Sequence, residues 1–148
     1  YLVPGIARMG RIEPIAAHVY GEGFDWRGAL IALGIGNGRQ AGGGQILCPD
    51  ARVDDGLLDL TVIPELEGEL ATTVATLMRE GRGAALERVG ERARMRALTV
   101  ESDVPMALNL DGEPVQARRF EIACVPARLR MHLPEHCPLL APARLALR

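Results

Sequence analysis

The sequence predicts a mainly β (α+β) domain, a β-sandwich interrupted by one helical insertion. Three observations predict it. Short apolar runs separated by turn residues recur along the chain, an Asp-Gly pair stands between two such runs, and one central stretch changes to helical spacing. A chain of 148 residues has the size of one ordinary domain.

The first predicted elements are a β-hairpin and a single strand. Apolar residues dominate residues 15–20 and 29–35, and Gly and Asp residues between them supply a turn. Residues 57–63 alternate in part between apolar and polar, which is typical of a half-buried strand, and the run ends at Pro64.

The helical insertion is predicted to begin at Leu66. The residues that share one helical face are spaced by three and four positions, namely Leu66, Leu70, Val74, Leu77 and Met78. Acidic residues at the start and arginines at the end suit the helix dipole, and Gly81 and Gly83 end the helix. A second helix is expected over residues 84–92.

The last part of the chain returns to short strands. The candidates are residues 97–100, 106–110, 120–125 and 129–133. Asp111-Gly112 predicts a tight hairpin between two of them, because Gly adopts positive φ freely and Asp tolerates it.

Composition excludes several classes of function. The net charge is −2, so no basic surface for nucleic acid is expected. All 17 basic residues are Arg, which excludes lysine-based catalysis within this chain. Three cysteines without a C-x-x-C spacing favour reduced thiols and a cytoplasmic location. No apolar run reaches about 18 residues, so any membrane contact is expected to be peripheral.

The first candidate site is the glycine-rich segment 34–45. Six glycines between Gly34 and Gly44 surround Asn37, Arg39 and Gln40. Such a segment is either a structural loop or a loop whose backbone lies close to a ligand. It is not a P-loop, because the Lys-Ser/Thr ending is missing.

Two further candidates are acidic turns. Asp54, Asp55 and Asp59 stand at the entry of a predicted strand, where they are either Mg²⁺ ligands or solvated turn residues. Asp111 and Glu113 lie at the predicted hairpin tip, where a carboxylate is either a general base towards a hydroxyl or simply part of a turn.

Taken in order, these segments resemble one family. The run "GNGRQAGGGQILCPDARVDDGLLDL", followed by a helix, "NLDGEP" and "LPEHCPLL", resembles the YegS-like branch of the diacylglycerol-kinase catalytic family along nearly the whole chain. The resemblance implies a two-domain kinase whose N-terminal domain binds ATP and whose C-terminal domain is a β-sandwich. Because the chain begins with Tyr1, we expect a fragment, with residues 1–136 as the lipid-binding domain and residues 137–148 as a tail packing on the missing domain.

The resemblance also implies roles for individual residues. Glu113 is expected to be the proton acceptor, with Asp111 as the alternative. A Mg²⁺ site is implied at Asp55 through its carboxylate and at Arg52 and Leu57 through their backbone carbonyls. Arg52 departs from the apolar residue expected there, and its guanidinium would repel a nearby cation.

Gly38 and Arg39 are expected, as a separate hypothesis, to approach the cleft that holds the nucleotide. The co-substrate ATP is expected to bind mainly to the missing domain.

The activity so implied is ATP-dependent transfer of the γ-phosphate to a glycerolipid hydroxyl, of diacylglycerol or phosphatidylglycerol type. The protein is expected in the bacterial cytoplasm or at the inner face of the membrane, and the isolated fragment is expected to be inactive. Two alternatives stay open: a non-catalytic β-sandwich that binds lipid or a protein partner, and a relative of the sphingoid-base kinases.

Overall fold

The computed structural model describes residues 13–41, 45–66, 68–134 and 136–140. Eight strands and two helices lie within these ranges. The first strands are β1 (Ile15–Gly21), β2 (Phe24–Gly36), β3 (Gln40–Ala41), β4 (Gln45–Ile46) and β5 (Leu58–Pro64). They are followed by α1 (Leu70–Glu80), α2 (Arg82–Val89), β6 (Glu91–Met95), β7 (Ala97–Leu110) and β8 (Glu113–Ala123).

Six strands form one antiparallel sheet in the order β6-β5-β2-β1-β7-β8, and β3 and β4 form a small separate pair. The predicted N-terminal hairpin is confirmed as β1 and β2, which are joined by a two-residue turn at Glu22 and Gly23. The predicted Asp-Gly hairpin is confirmed as β7 and β8.

The large sheet is strongly curved. Met95 ends β6 and Ala97 begins β7, with Arg96 alone between them, although β5, β2 and β1 separate these two strands in the sheet. In a flat sheet the two strands would lie about 19 Å apart, at roughly 4.8 Å per strand spacing. Two virtual Cα bonds span at most about 7.6 Å, so the sheet must fold over on itself. The predicted class, a sandwich-like β domain with a helical insertion, is confirmed.

The core fills the concave side of this sheet. It is built from residues of all strands of the large sheet, with Val19, Trp26, Leu60, Val62, Met95, Leu98 and Val100 among the buried members and Phe120 and Ile122 packed against them. Mainly aliphatic side chains can fill this core, because the curvature of the sheet brings side chains from distant strands into contact.

Strand β5 is buried on both faces. Leu60 and Val62 point into the core, whereas Asp59 and Thr61 lie on the opposite face. A segment after β4 covers that second face: the Thr61 hydroxyl donates to the carbonyl of Leu47 at 2.7 Å, and the Cys48 thiol donates to the carbonyl of Asp59 at 3.3 Å.

The helical insertion is present, with different bounds. Helix α1 begins at Leu70 rather than Leu66, because Gly68 has a φ of 74° and leaves the helical region. Helix α2 ends at Val89 rather than Arg92, because the following residues pair with β5. The side chains of Leu70, Val74 and Leu77 lie outside the described ones. Neither helix is long and apolar enough to cross a membrane, judged over the described residues.

Three strand predictions need correction. Strand β6 is not predicted, and the predicted strands at 97–100 and 106–110 are one irregular strand, β7. Residues 129–133 are not a strand: Pro126 and Pro134 flank them, none of the described strands pairs with them, and Leu129 is 82% exposed.

Candidate functional site

Glu113 is the first residue of β8 and is exposed at the tip of the β7–β8 hairpin. The two turn residues before it, Asp111 and Gly112, have φ values of 49° and 107°. Positive φ at both positions gives a turn whose twist matches that of the strands. The Asn109 side chain accepts a hydrogen bond from the Gly112 N–H at 2.6 Å, so the backbone on which Glu113 stands is held in place.

One face of this hairpin is apolar and leads to Glu113. In the register of the two strands, Glu113 lies opposite Leu110 and Val115 lies opposite Leu108, and these four side chains share a face. Leu110 and Val115 are exposed, at 53% and 39%, and Met106, further along the same face, is buried in the core. The carboxylate therefore stands at the outer end of a continuous apolar path.

The second site region is residues 47–57, which we call the carboxylate loop. It connects the small β3–β4 pair to β5. Within it, the Asp55 carboxylate accepts a hydrogen bond from the N–H of Leu57 at 3.0 Å, across Gly56, which has a φ of 75°. This local turn fixes the side chain of Asp55 relative to the backbone of Leu57.

Arg94, on β6, connects the carboxylate loop to β5. Its Nε and Nη2 donate to Asp59 Oδ1, each at 3.3 Å, and Nη2 also donates to the carbonyl of Asp50 at 2.8 Å. Arg92, on the same face of the same strand, lies 3.7 Å from the carboxylate of Asp50. Neither arginine is predicted from the sequence as a site residue. The signal that was available is the Arg-x-Arg spacing on a strand beside an acidic loop.

The structure places Arg39 against the carboxylate loop. Its Nε donates to the carbonyl of Ala51 at 3.2 Å and its Nη2 donates to the carbonyl of Pro138 at 2.6 Å. A Cβ atom added to Gly38 would meet no heavy atom within 4 Å, so this glycine borders open space. Gly42, Gly43 and Gly44 lie outside the described residues.

The segment 138–140 also contacts the loop. The Val53 N–H donates to the carbonyl of Leu139 at 2.9 Å, and the guanidinium of Arg52 donates to the carbonyl of Leu140. Residues 141–148 of the expected tail lie outside the described residues.

Two groups beside the loop have shifted pKa values. Burial raises the pKa of Asp59, while the charge of Arg94 and its hydrogen bonds oppose this shift. Burial, followed by the charge of Asp59, raises the pKa of the Cys48 thiol to about 11. Cys48 is therefore a protonated, buried thiol at neutral pH and is unsuited to nucleophilic catalysis.

The residues expected to hold Mg²⁺ fit that ion in their chemistry. One carboxylate and two backbone carbonyls are the hard oxygen ligands that Mg²⁺ prefers, and waters usually complete its coordination. Among the described residues no group of three or more His, Cys, Asp or Glu side chains is arranged to hold a metal. A site at the carboxylate loop would thus depend on the backbone. The Arg52 guanidinium donates a hydrogen bond to the carbonyl of Leu140. This contact partly offsets the positive charge that would otherwise repel a cation.

Comparison with known proteins identifies the family. Residues 2–133 match the family model described as "YegS C-terminal NAD kinase beta sandwich-like domain". A protein of Xanthomonas oryzae pv. oryzae named "Probable lipid kinase YegS-like" is 61% identical over 140 residues, which cover 95% of this chain and 45% of the relative. A protein of the same name from Pseudomonas aeruginosa is 44% identical over 140 residues, with the same two coverages.

A crystal structure of a diacylglycerol kinase from Bacillus anthracis is similar in fold, with a TM-score of 0.56 and 16% sequence identity. The similarity covers 84% of this chain and 47% of that chain. The chain spans less than half the length of the curated relatives it matches. Its sequence and its fold agree, and the chain belongs to the YegS C-terminal domain family, whose curated relatives are named as lipid kinases.

Proposed function

We propose that this chain is the lipid-facing domain of an ATP-dependent lipid kinase, in which Glu113 accepts the proton of a glycerolipid hydroxyl as it takes the γ-phosphate. Diacylglycerol and phosphatidylglycerol are the substrate types proposed. The family of the chain supports a kinase of lipids, and the position of Glu113 supports its role as the base.

The observation that carries the proposal is the β7–β8 hairpin. A glycerolipid has apolar acyl chains joined to a polar end that bears the hydroxyl. The apolar face formed by Leu110, Val115 and Leu108 ends at the Glu113 carboxylate, so it has the same order of apolar and polar parts. Solvated carboxylates are common on turns, but this one stands at the end of an exposed apolar face, a combination that suits an amphipathic ligand.

In this mechanism the chain's own residues orient the acceptor. The turn at Asp111 and Gly112 holds the backbone of Glu113, and its carboxylate accepts the hydroxyl proton while the lipid oxygen attacks the γ-phosphorus. The bond from the γ-phosphorus to the bridging oxygen of ADP then breaks. Phosphoryl transfer depends mainly on positioning and charge neutralisation, so an oriented base suffices on the lipid side.

Mg²⁺ bound at the carboxylate loop would order this loop and offset phosphate charge. Asp55 would supply a carboxylate oxygen, and Arg52 and Leu57 would supply carbonyl oxygens. The nucleotide itself is proposed to bind mainly to a domain outside this chain, and contact with the membrane is proposed to be peripheral, from the cytoplasmic side.

The test is transfer of radiolabelled phosphate from ATP to a panel of glycerolipids and sphingoid bases by the intact protein that contains this chain. We expect transfer to a glycerolipid, and loss of that transfer in the Glu113→Gln variant. Transfer to a sphingoid base alone would move the protein to the other kinase class. A folded protein that binds ATP and lipid vesicles without any transfer would favour the non-catalytic binding domain.

A further inference from the structure

The carbonyl of Arg52, one of the proposed Mg²⁺ ligands, belongs to a peptide unit that is held from outside the loop. That unit also contains the N–H of Val53, which donates to the carbonyl of Leu139 at 2.9 Å. In a planar trans peptide the C=O and N–H point in opposite directions. The bond to Leu139 therefore directs the Arg52 carbonyl away from the segment 138–140.

The preceding peptide unit is held by Arg39. It contains the carbonyl of Ala51, which accepts a hydrogen bond from Arg39 Nε at 3.2 Å. Ala51 is fully buried, so this carbonyl lies in a packed environment. One more unit back, the carbonyl of Asp50 accepts a hydrogen bond from Arg94 at 2.8 Å. Three successive peptide units, ending with the one that bears the Arg52 carbonyl, thus each have an external partner.

Arg39 connects the carboxylate loop to the segment 138–140. Its Nη2 donates to the carbonyl of Pro138 at 2.6 Å while its Nε holds Ala51. Pro138 directly precedes Leu139, which orients the Arg52 carbonyl. A planar guanidinium can satisfy two carbonyls in a fixed relative position, which an ammonium on a flexible stem does far less well.

We propose that Arg39 is a positioning residue for the cation: by clamping Ala51 of the carboxylate loop to Pro138, it aims the Arg52 carbonyl at the Mg²⁺ site. The inference rests on the Mg²⁺ site of the proposed function. It gives Arg39 a role in the backbone geometry of the metal site, distinct from a contact with the nucleotide. It also accounts for an arginine within a segment of glycines.

The experiment compares the Mg²⁺ dependence of three variants with that of the parent chain. Mg²⁺ is titrated against thermal unfolding of the 148-residue chain, and against phosphate transfer by the intact protein. Ligands that bind the folded state raise its stability, so the titration reports Mg²⁺ affinity without any catalysis. The variants are Arg39→Gln, Arg39→Lys and Asp55→Asn. The matched control is Arg119→Gln, because Arg119 on β8 pairs with Glu101 and Glu121.

We expect Arg39→Gln to raise the Mg²⁺ concentration for half-maximal effect by about 10–100-fold, the usual cost of losing a residue that orients a metal ligand. Transfer at saturating Mg²⁺ should recover to within about threefold of the parent, with the lipid KM unchanged. Arg39→Lys should resemble Arg39→Gln, because the clamp requires two fixed donors. Arg119→Gln should keep the parent midpoint.

Other outcomes would overturn the inference. If Arg39→Gln lowers stability while the Mg²⁺ midpoint stays unchanged, Arg39 supports only the fold. Parental Mg²⁺ affinity in Arg39→Lys would show that charge, rather than the two-carbonyl clamp, is what counts. If Asp55→Asn and the parent respond to Mg²⁺ alike, the metal site of the proposed function is itself wrong, a failure that is distinct from failure of the Arg39 variants alone.

Discussion

Arg94 donates two hydrogen bonds to a single oxygen of Asp59, Oδ1, from its Nε and Nη2 atoms, each at 3.3 Å. The second oxygen, Oδ2, is buried and has no hydrogen-bond partner within the described part of the chain. Asp59 is on β5 and Arg94 is opposite it on β6, so this half-buried pair joins the edge strand to the strand that follows the carboxylate loop. Asp59 depends on Arg94 for compensation of its buried charge.

We expect Arg94→Met to lower the free energy of unfolding by about 1–3 kcal/mol, the cost of leaving a buried polar group without its partner, because Arg94 itself is partly exposed. The double variant Asp59→Leu/Arg94→Met should recover much of this loss, because no buried charge then stays uncompensated. Urea unfolding of the 148-residue chain measures both. Arg119→Met is the control, and the loss of its solvent-exposed ion pairs should lower the free energy of unfolding far less than Arg94→Met does. Equal losses in Arg94→Met and Arg119→Met would contradict the role given to the pair.

Glu113→Gln should lower the rate of phosphate transfer by roughly 10²–10⁴-fold, the range typical of losing a general base. The fold should be unaffected, because Glu113 is exposed at the hairpin tip. Initial rates of the intact protein at saturating lipid and ATP give the measurement. Glu121→Gln, on the same strand, is the control and should keep the parental rate. Asp111→Asn tests the alternative base, and a larger loss there than at Glu113 would transfer the role.

Replacing Leu110 with Ser should raise the lipid KM about tenfold with little change in kcat. Burying a leucine side chain contributes about 1.5–3 kcal/mol, and a tenfold change corresponds to about 1.4 kcal/mol. Steady-state kinetics with a short-chain diacylglycerol in mixed micelles separates the two constants. Met78→Ser, at an exposed apolar position on α1, is the control. A parental KM in Leu110→Ser would show that the acyl chains bind elsewhere.

The raised pKa of Cys48 predicts a loss of stability in alkaline solution. Between its ordinary value of 9.0 and about 11, the folded state keeps the proton on the thiol while the unfolded state releases it. Folding stability due to this group is therefore fully present below pH 9 and falls as the pH rises towards 11, by an amount on the order of 2 kcal/mol. The difference in unfolding free energy between the parent and Cys48→Ala, measured from pH 8 to pH 11, isolates this contribution. A difference independent of pH would contradict the assigned cause.

The local elements could be predicted because their signals are local. The hairpin at Asp111 and Gly112 follows from two residues that accept positive φ, and the helical insertion follows from apolar spacing. Strand β6 could not be found in this way. Its residues Glu91 to Met95 are mostly charged, and they form a strand because β5 offers them a pairing edge. Residues 129–133 show the opposite case: their apolar side chains predict a strand, but these residues pair with no strand in the described part of the chain, and Leu129 and Met131 are exposed.

The candidate site residues likewise fall into those that the sequence predicts and those whose contacts only the tertiary structure shows. The sequence by itself determined the family, the carboxylates of the two turns and the absence of lysine chemistry, since each of these depends on residue identity and spacing along the chain. The tertiary structure decided what Arg39, Arg94 and Asp59 contact. Those hydrogen bonds join positions 11 to 99 residues apart in the chain, and Arg39 and Pro138 are the pair that lies farthest apart in sequence. Spacing along the chain carries no signal for such contacts, because their geometry is set by how the strands pair and curve.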